Sequence, residues 1–188
     1  ASLIAKMWEA VDLPAGVFNL VSGSGRNIGN ELVSNVRTRA ISFTGSTPVG
    51  RGIAVEAARQ NKKYQLEMGG KNPVIVLEDA NLEQAAEITV AGAMKYPGQK
   101  CTATSRAIVV GGVLQEFTDL VVAKTEALNI GPGAVPENVI MPVIDEASRQ
   151  NIMDSVSRAV SEGGNILTGG EIASGGDLDS GHFVKPTV

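Results

Sequence analysis

The stretch Ala40-Ile41-Ser42-Phe43-Thr44-Gly45-Ser46-Thr47-Pro48-Val49-Gly50 decides the fold class. Ala40–Phe43 reads as a short strand. Val49–Ala58 reads as a helix, and Gly45 and Gly50 lie in the loop and helix start between them. Upstream, Val17-Phe18-Asn19-Leu20-Val21 reads as another strand and Ser22-Gly23-Ser24-Gly25 as a loop. A helix starting near Asn27 would carry Ile28, Leu32 and Val33 on one face. Two strand–glycine–helix units in succession imply parallel β-structure with crossover helices, an α/β fold. In such sheets ligands bind beyond the carboxyl ends of the strands. The free N–H groups at a helix start there suit a pyrophosphate. The glycine spacing matches neither the dinucleotide fingerprint Gly-x-Gly-x-x-Gly nor a P-loop, so on spacing alone a tight turn is the leading reading of each loop.

Downstream, Asn61-Lys62-Lys63 reads as a solvated turn and Tyr64–Met68 as a third strand. That strand delivers Glu67 to its end, just before Gly69-Gly70. A carboxylate there is a candidate base. The glycine pair marks a loop and the expected domain junction. Val74–Leu77 is a fourth strand, opened by Pro73. Asp79 or Asn81 can cap the alanine-rich helix that follows and ends by Pro97-Gly98. Cys101 comes next, in Pro97-Gly98-Gln99-Lys100-Cys101-Thr102-Ala103. A second helix is expected to start at Lys100–Thr104, which would lower the thiol's pKa, as would the neighbouring Lys100. A lone cysteine so placed is a candidate nucleophile. The competing reading is a small buried hydrophobe, the usual condition of free cysteine.

Ala1–Val11 has apolar residues Leu3, Ile4, Met7 and Trp8 at helical spacing and reads as a helix cut in mid-course. Ala107–Val110 is expected to be a strand. Gln115–Lys124 is expected to be a helix with Phe117, Leu120 and Val121 inward. Ser148–Gly163 reads as a further helix, Asn165–Thr168 and Phe183–Val188 as strands, and Gly169–Gly181 as a surface loop. His182 has no acidic partner at a recognisable spacing and reads as a surface or packing residue.

Composition excludes several classes. A net charge of −4 without a Lys/Arg cluster gives no nucleic-acid footprint. One Cys and one His exclude an internal disulfide and a cysteine-based zinc site, and no metal site is expected. No apolar run reaches the ~20 residues of a membrane span. Ala1–Ala10 holds no signal-peptide pattern, so a cytoplasmic location is expected.

Three motifs occur in order: Phe43-Thr44-Gly45-Ser46-Thr47-Pro48-Val49-Gly50, Glu67-Met68-Gly69-Gly70-Lys71-Asn72-Pro73 and Gly98-Gln99-Lys100-Cys101-Thr102-Ala103. As a set they resemble the aldehyde dehydrogenase superfamily. The resemblance runs from Ala1 to Val188 but covers only the middle of such an enzyme. It implies the later part of a Rossmann-like parallel-sheet cofactor domain at 1–69. The first part of an α/β catalytic domain would follow at 70–188. At matching positions Cys101 corresponds to the nucleophile and Glu67 to the general base. Gly45, Ser46 and Gly50 correspond to the loop and helix start that meet the cofactor, with Thr44 near the nicotinamide. Gly25 corresponds to a glycine near the adenosine. Met68 stands where the family usually has Leu, and its backbone would face the nicotinamide end.

The resemblance implies NAD(P)-dependent oxidation of an aldehyde to a carboxylic acid through a cysteine thiohemiacetal and thioester. The run Gly98–Arg106 looks most like bacterial semialdehyde dehydrogenases, including those acting on 2-oxoglutarate semialdehyde. The residues that read the ribose 2′ position would lie outside this sequence, so NAD and NADP both stand. The family's oxyanion asparagine and its adenosine-ribose lysine–glutamate segment would precede Ala1. Its nicotinamide-ribose glutamate would follow Val188. Little activity is therefore expected of the 188-residue chain alone. Unpaired sheet edges favour association, and a homo-oligomer (dimer or tetramer) is expected of the full enzyme. The alternatives are a non-catalytic fragment or binding module with the same fold, and a cysteine hydrolase, for which only His182 could serve as base.

Overall fold

The computed structural model describes every residue from Ala1 to Val188. Contacts divide the chain between Met68 and Gly69 into two compact units.

The first unit holds helix α1 (Ser2–Ala10), a π-turn at Gly25–Gly29, the short helix α2 (Asn30–Ser34), strand β1 (Ala40–Gly45), helix α3 (Thr47–Arg59) and strand β2 (Lys63–Met68). β1 and β2 pair in parallel, from Ala40 opposite Lys63 to Gly45 opposite Met68. α3 is the crossover. It starts two residues earlier than the periodicity predicts, because Ser46 takes extended backbone at the cap and Pro48 sits in the first turn. Proline suits that turn, having no N–H to leave unpaired. Alternation puts Ile41, Phe43, Leu66 and Met68 on the half-buried face under α3. Ser42, Thr44, Gln65 and Glu67 lie on the other face, which is exposed.

The second unit holds β3 (Asn72–Val76), α4 (Leu82–Met94), β4 (Thr104–Val109), α5 (Leu114–Glu126) and α6 (Glu146–Ser161). β3 and β4 are parallel, with a register irregularity between Asn72 and Pro73. Asn81 caps α4, its side-chain oxygen accepting from the Gln84 N–H at 3.1 Å. α5 packs on α4, and Val76, Ala86, Val90, Phe117 and Val121 form the core between them and the sheet. Ile140, Val143, Ala173 and Phe183 are also buried, in segments joined only by isolated bridges. No helix is long and apolar enough to cross a membrane.

Four local expectations are corrected. Val17–Val21 forms no ladder; it is exposed throughout, and β-favouring residues make a strand only when a neighbour takes their backbone bonds. No helix starts at Lys100–Thr104. Instead Ala103 N–H closes a turn on the Lys100 carbonyl (3.1 Å), and Thr104 enters the ladder with β3. Asn165–Thr168 and Phe183–Val188 are not strands, although Leu167 N–H reaches the Val188 carbonyl (2.8 Å) and Val188 N–H reaches Thr168 (3.1 Å). Lys62 is not solvated. It is buried and donates to the backbone carbonyls of Val33 and Asn35 at the end of α2. A buried ammonium needs such acceptors, and a helix C-terminus supplies them.

Candidate active site

In the first unit the strand ends gather six of the sequence-selected residues. Thr44 lies opposite Glu67, and Gly45 opposite Met68, at the carboxyl end of the two-stranded ladder. Gly50, in the second turn of α3, is buried against this end. A Cβ there would overlap Met68 Sδ and reach Phe43 Cε1 at 3.5 Å. A Cβ at Gly45 would overlap the Phe43 ring. A side chain at either position would make Met68 or Phe43 shift, so both glycines suit the close packing at this strand end. Gly25 differs: a Cβ added there would meet nothing within 4 Å. Its turn is closed by Ser24, whose side chain accepts from the Asn27 N–H at 3.2 Å.

Ser46 caps α3 without a side-chain hydrogen bond. With Pro48 lacking an N–H and the Gly50 N–H bonded to the Ser46 carbonyl, Thr47 and Val49 are left as the free donors at the positive end of this 13-residue helix. Thr44 and Glu67 share the opposite, exposed face of the ladder. Glu67 has no ion-pair partner; its Oε1 accepts one long hydrogen bond, from Gln65 Nε2 at 3.4 Å. A carboxylate so lightly bonded keeps acceptor positions free for water.

In the second unit Cys101 is exposed. It sits between a 3₁₀ turn at Tyr96–Gly98 and the start of β4. The small-hydrophobe alternative is therefore set aside by its exposure. Asn72 Nδ2 donates to the Cys101 carbonyl at 2.7 Å and to the Ala103 carbonyl at 3.0 Å. Arg106 donates to the Lys71 carbonyl through Nε (3.2 Å) and Nη2 (2.9 Å), and Ser105 Oγ donates to the Asn72 carbonyl at 3.4 Å. These bonds lie where the β3–β4 register shifts, a bulge at the start of the ladder. Lys100 Nζ stands 3.9 Å from the Tyr96 ring centroid, a cation–π contact. No helix N-terminus faces the thiol from its own turn.

Glu67 and Cys101 therefore belong to different units. Asn72, Lys62 and Glu146 are the residues whose roles sequence reasoning missed. Glu146 Oε2 lies 3.2 Å from His182 Nδ1 and also pairs with Arg149, which gives His182 the acidic partner that sequence spacing did not show. Nearby, Asp145 accepts from Ser148 at 2.7 Å as the cap of α6, and bonding to Ser148 holds its carboxyl below the ordinary aspartate value. No group of three or more His, Cys, Asp or Glu is placed to hold a metal ion.

The aldehyde dehydrogenase family model matches residues 1–188. The chain is 40% identical over 188 residues to the alpha-ketoglutaric semialdehyde dehydrogenase of Bacillus subtilis strain 168, covering 100% of this chain and 38% of that protein. It is 36% identical over 188 residues to the NADP(+) succinate-semialdehyde dehydrogenase of Escherichia coli K12, covering 100% and 38%. Among solved structures it is similar to a 3,6-anhydro-L-galactose dehydrogenase in complex with NAP, with a TM-score of 0.94 and 38% identity over 98% of this chain and 39% of that one. It is also similar to the betaine aldehyde dehydrogenase of Staphylococcus aureus in complex with NAD⁺, with a TM-score of 0.94, 31% identity and coverage of 98% and 37%. The chain thus spans about 38% of the length of these curated relatives.

Proposed function

The chain belongs to the aldehyde dehydrogenase family, and on that premise we propose that it forms part of an enzyme that oxidises an aldehyde to a carboxylic acid. Residues 1–69 are the later part of its nicotinamide-nucleotide domain and 70–188 the first part of its catalytic domain. One observation carries the reading: the exposed Cys101 thiol stands on a turn anchored by Asn72, and Asn72 belongs to the same motif as Glu67.

Cys101 Sγ, as thiolate, adds to the aldehyde carbon and forms a thiohemiacetal. A nicotinamide nucleotide, held at the loop and helix start around Gly45, Ser46 and Gly50, would supply a hydride acceptor, and loss of hydride from the adduct would leave a thioester on Cys101. Glu67 then takes a proton from water, the water attacks the thioester carbon, and the carboxylic acid leaves as Cys101 is released. Water is a poor nucleophile near neutral pH, and general-base help contributes typically ~10²–10⁴-fold. The lightly bonded Glu67 carboxylate on the open strand face suits that task.

The residues present fit a dinucleotide. The free donors at the start of α3 suit a pyrophosphate, and the open space at Gly25 admits a ligand close to the backbone. Gly45, Ser46 and Gly50 would form the loop and helix start that meet the cofactor, Thr44 and the Met68 backbone would lie toward the nicotinamide, and Gly25 would lie toward the adenosine. NAD and NADP are both compatible. A semialdehyde is the proposed substrate, supported by the likeness to the Bacillus and Escherichia enzymes. A cytoplasmic homo-oligomer is proposed for the complete enzyme. The 188-residue chain alone is proposed to turn over slowly, because it spans so little of its relatives' length.

The test is a complete enzyme carrying this segment, mixed with short semialdehydes and either nicotinamide nucleotide, with peptide mass spectrometry after an acid quench. An acyl adduct on Cys101 in the quenched sample is expected, with reduced nucleotide and carboxylic acid formed in equal amounts as turnover proceeds. A well-folded protein with neither product supports the non-catalytic alternative and contradicts this function.

A further inference from the structure

Cys101 is exposed, and so are Lys100 and Thr102 on either side. Packing therefore does not fix the direction of the thiol. Ala103, the next buried residue, anchors only the exit of the turn. What restrains the cysteine's own peptide is the Asn72 amide, 2.7 Å from the Cys101 carbonyl and 3.0 Å from the Ala103 carbonyl. An asparagine amide offers two N–H donors on one nitrogen, which matches two acceptors; serine offers one donor and aspartate none. Asn72 is itself held, because its carbonyl accepts from Ser105 Oγ and its neighbour Lys71 is clamped by Arg106. Gly70 leaves the amide room: a Cβ there would come within 3.3 Å of Asn72 Oδ1.

We propose that Asn72 is a positioning residue for the Cys101 nucleophile, its amide fixing the turn that aims Sγ at the substrate carbonyl. This rests on the function proposed above, although Asn72 touches neither substrate nor sulfur. Holding the Cys101 and Ala103 carbonyls fixes the two peptide planes that follow the cysteine Cα and so narrows the rotations that aim the thiol. Loss of the amide lets the turn pivot about Ala103. A displacement of about 1 Å at a reacting group costs on the order of 10²-fold in rate.

The test follows the number of donors. In a complete enzyme carrying this segment, Asn72→Ala and Asn72→Asp are expected to lower kcat by about 10²-fold with KM for the aldehyde within about twofold, and Asn72→Ser to fall between them and the wild type. Asn81→Ala, which removes the cap of α4, controls for lost stability and should leave kcat within about twofold. An unchanged kcat in Asn72→Ala, or an equal loss in Asn81→Ala, overturns the proposal. A second readout needs no dehydrogenase activity and so separates this inference from the function it rests on. In the 188-residue chain, the Ala103 amide, bonded to the Lys100 carbonyl, should exchange its hydrogen roughly 10-fold faster in Asn72→Ser while α4 amides keep their protection. If Ala103 exchange is unaltered, Asn72 does not hold the turn and the proposal fails, whatever the enzyme assay shows.

Discussion

The molecule contains the same β–α–β unit twice, and the two copies are held in different ways. In the second unit α4 is backed by α5, and Phe117 and Val121 of α5 close a core with Val76, Ala86 and Val90. In the first unit α3 lies on its two strands, and Ile53, Ala57 and Gly50 are its buried residues. Ile41, Phe43, Leu66 and Met68 are half-buried beneath it, and many of the unit's other apolar side chains, among them Leu3, Met7, Val11, Val17 and Val21, are exposed. A parallel strand pair with its crossover does not by itself make a core. The second packed layer does, because burial scales with the faces covered. The chemistry-bearing residues inherit the difference. Cys101 is exposed but tied by side-chain hydrogen bonds to a packed unit. Glu67 is placed by ladder register alone, on an open face.

The sharpest contrast lies between those two residues. In a complete enzyme carrying this segment, on the proposed roles, Cys101→Ser should lower aldehyde turnover by at least ~10⁴-fold and leave no covalent adduct, since removing a nucleophile disables the whole sequence of steps. Glu67→Gln should cost ~10²–10⁴-fold and leave the acyl group on Cys101, since only its hydrolysis needs the base. Steady-state assays with intact-mass measurement separate the two outcomes. Equal losses without an adduct in either variant would break the assignment of roles.

The next largest effect concerns the cores. Phe117→Ala should destabilise the second unit by ~3–5 kcal/mol, the usual cost of emptying a packed aromatic site. Ile53→Ala should cost the first unit about 2 kcal/mol, at the low end for such truncations, because its surroundings are open enough to collapse. Denaturant melts followed by hydrogen exchange in each unit compare them. A larger cost at Ile53 would reverse the ranking. Lys62→Met should cost about 1–3 kcal/mol in the first unit, since two charge-assisted hydrogen bonds to the end of α2 are lost. Faster exchange in α2 is the local sign to look for.

The smallest effect is a pH dependence at the cap of α6. The Asp145 carboxyl is held below its ordinary value of 3.8 by bonding to Ser148. A depressed carboxylate contributes its stability fully above the ordinary value and loses it as pH falls through the lowered one. The Ser148 amide should therefore stay protected at pH 5 and lose protection only below the ordinary aspartate range. Asp145→Asn keeps a good cap and should abolish that acid dependence. Loss of protection already above pH 4 would contradict the assignment.

Much of this was legible in the residues. Ala40–Phe43 was legible as a strand and Val49–Ala58 as the helix that follows it, although the helix forms from Thr47. Cys101 and Glu67 stood out through their motifs. What could not be read depends on partners distant in sequence. Lys62 looks like a turn residue until the carbonyls of Val33 and Asn35 come to it. Asn72 looks like a residue that merely precedes a proline until β4 returns beside β3. Val17–Val21 failed in the opposite direction: it has the composition of a strand but no neighbour to bond. No helix starts at Lys100–Thr104, because Thr104 pairs with Asn72 of β3, which outweighs the weak helix preference of a β-branched residue.

The central claim is that Cys101 carries the acyl group and Glu67 releases it. It is tested most directly by rapid mixing of a complete Glu67→Gln enzyme with aldehyde and nicotinamide nucleotide. The account predicts a burst of reduced nucleotide equal to the active sites, followed by slow turnover, with the acyl mass located on the Cys101 peptide. A linear progress curve without a burst, together with an unmodified Cys101, would contradict it.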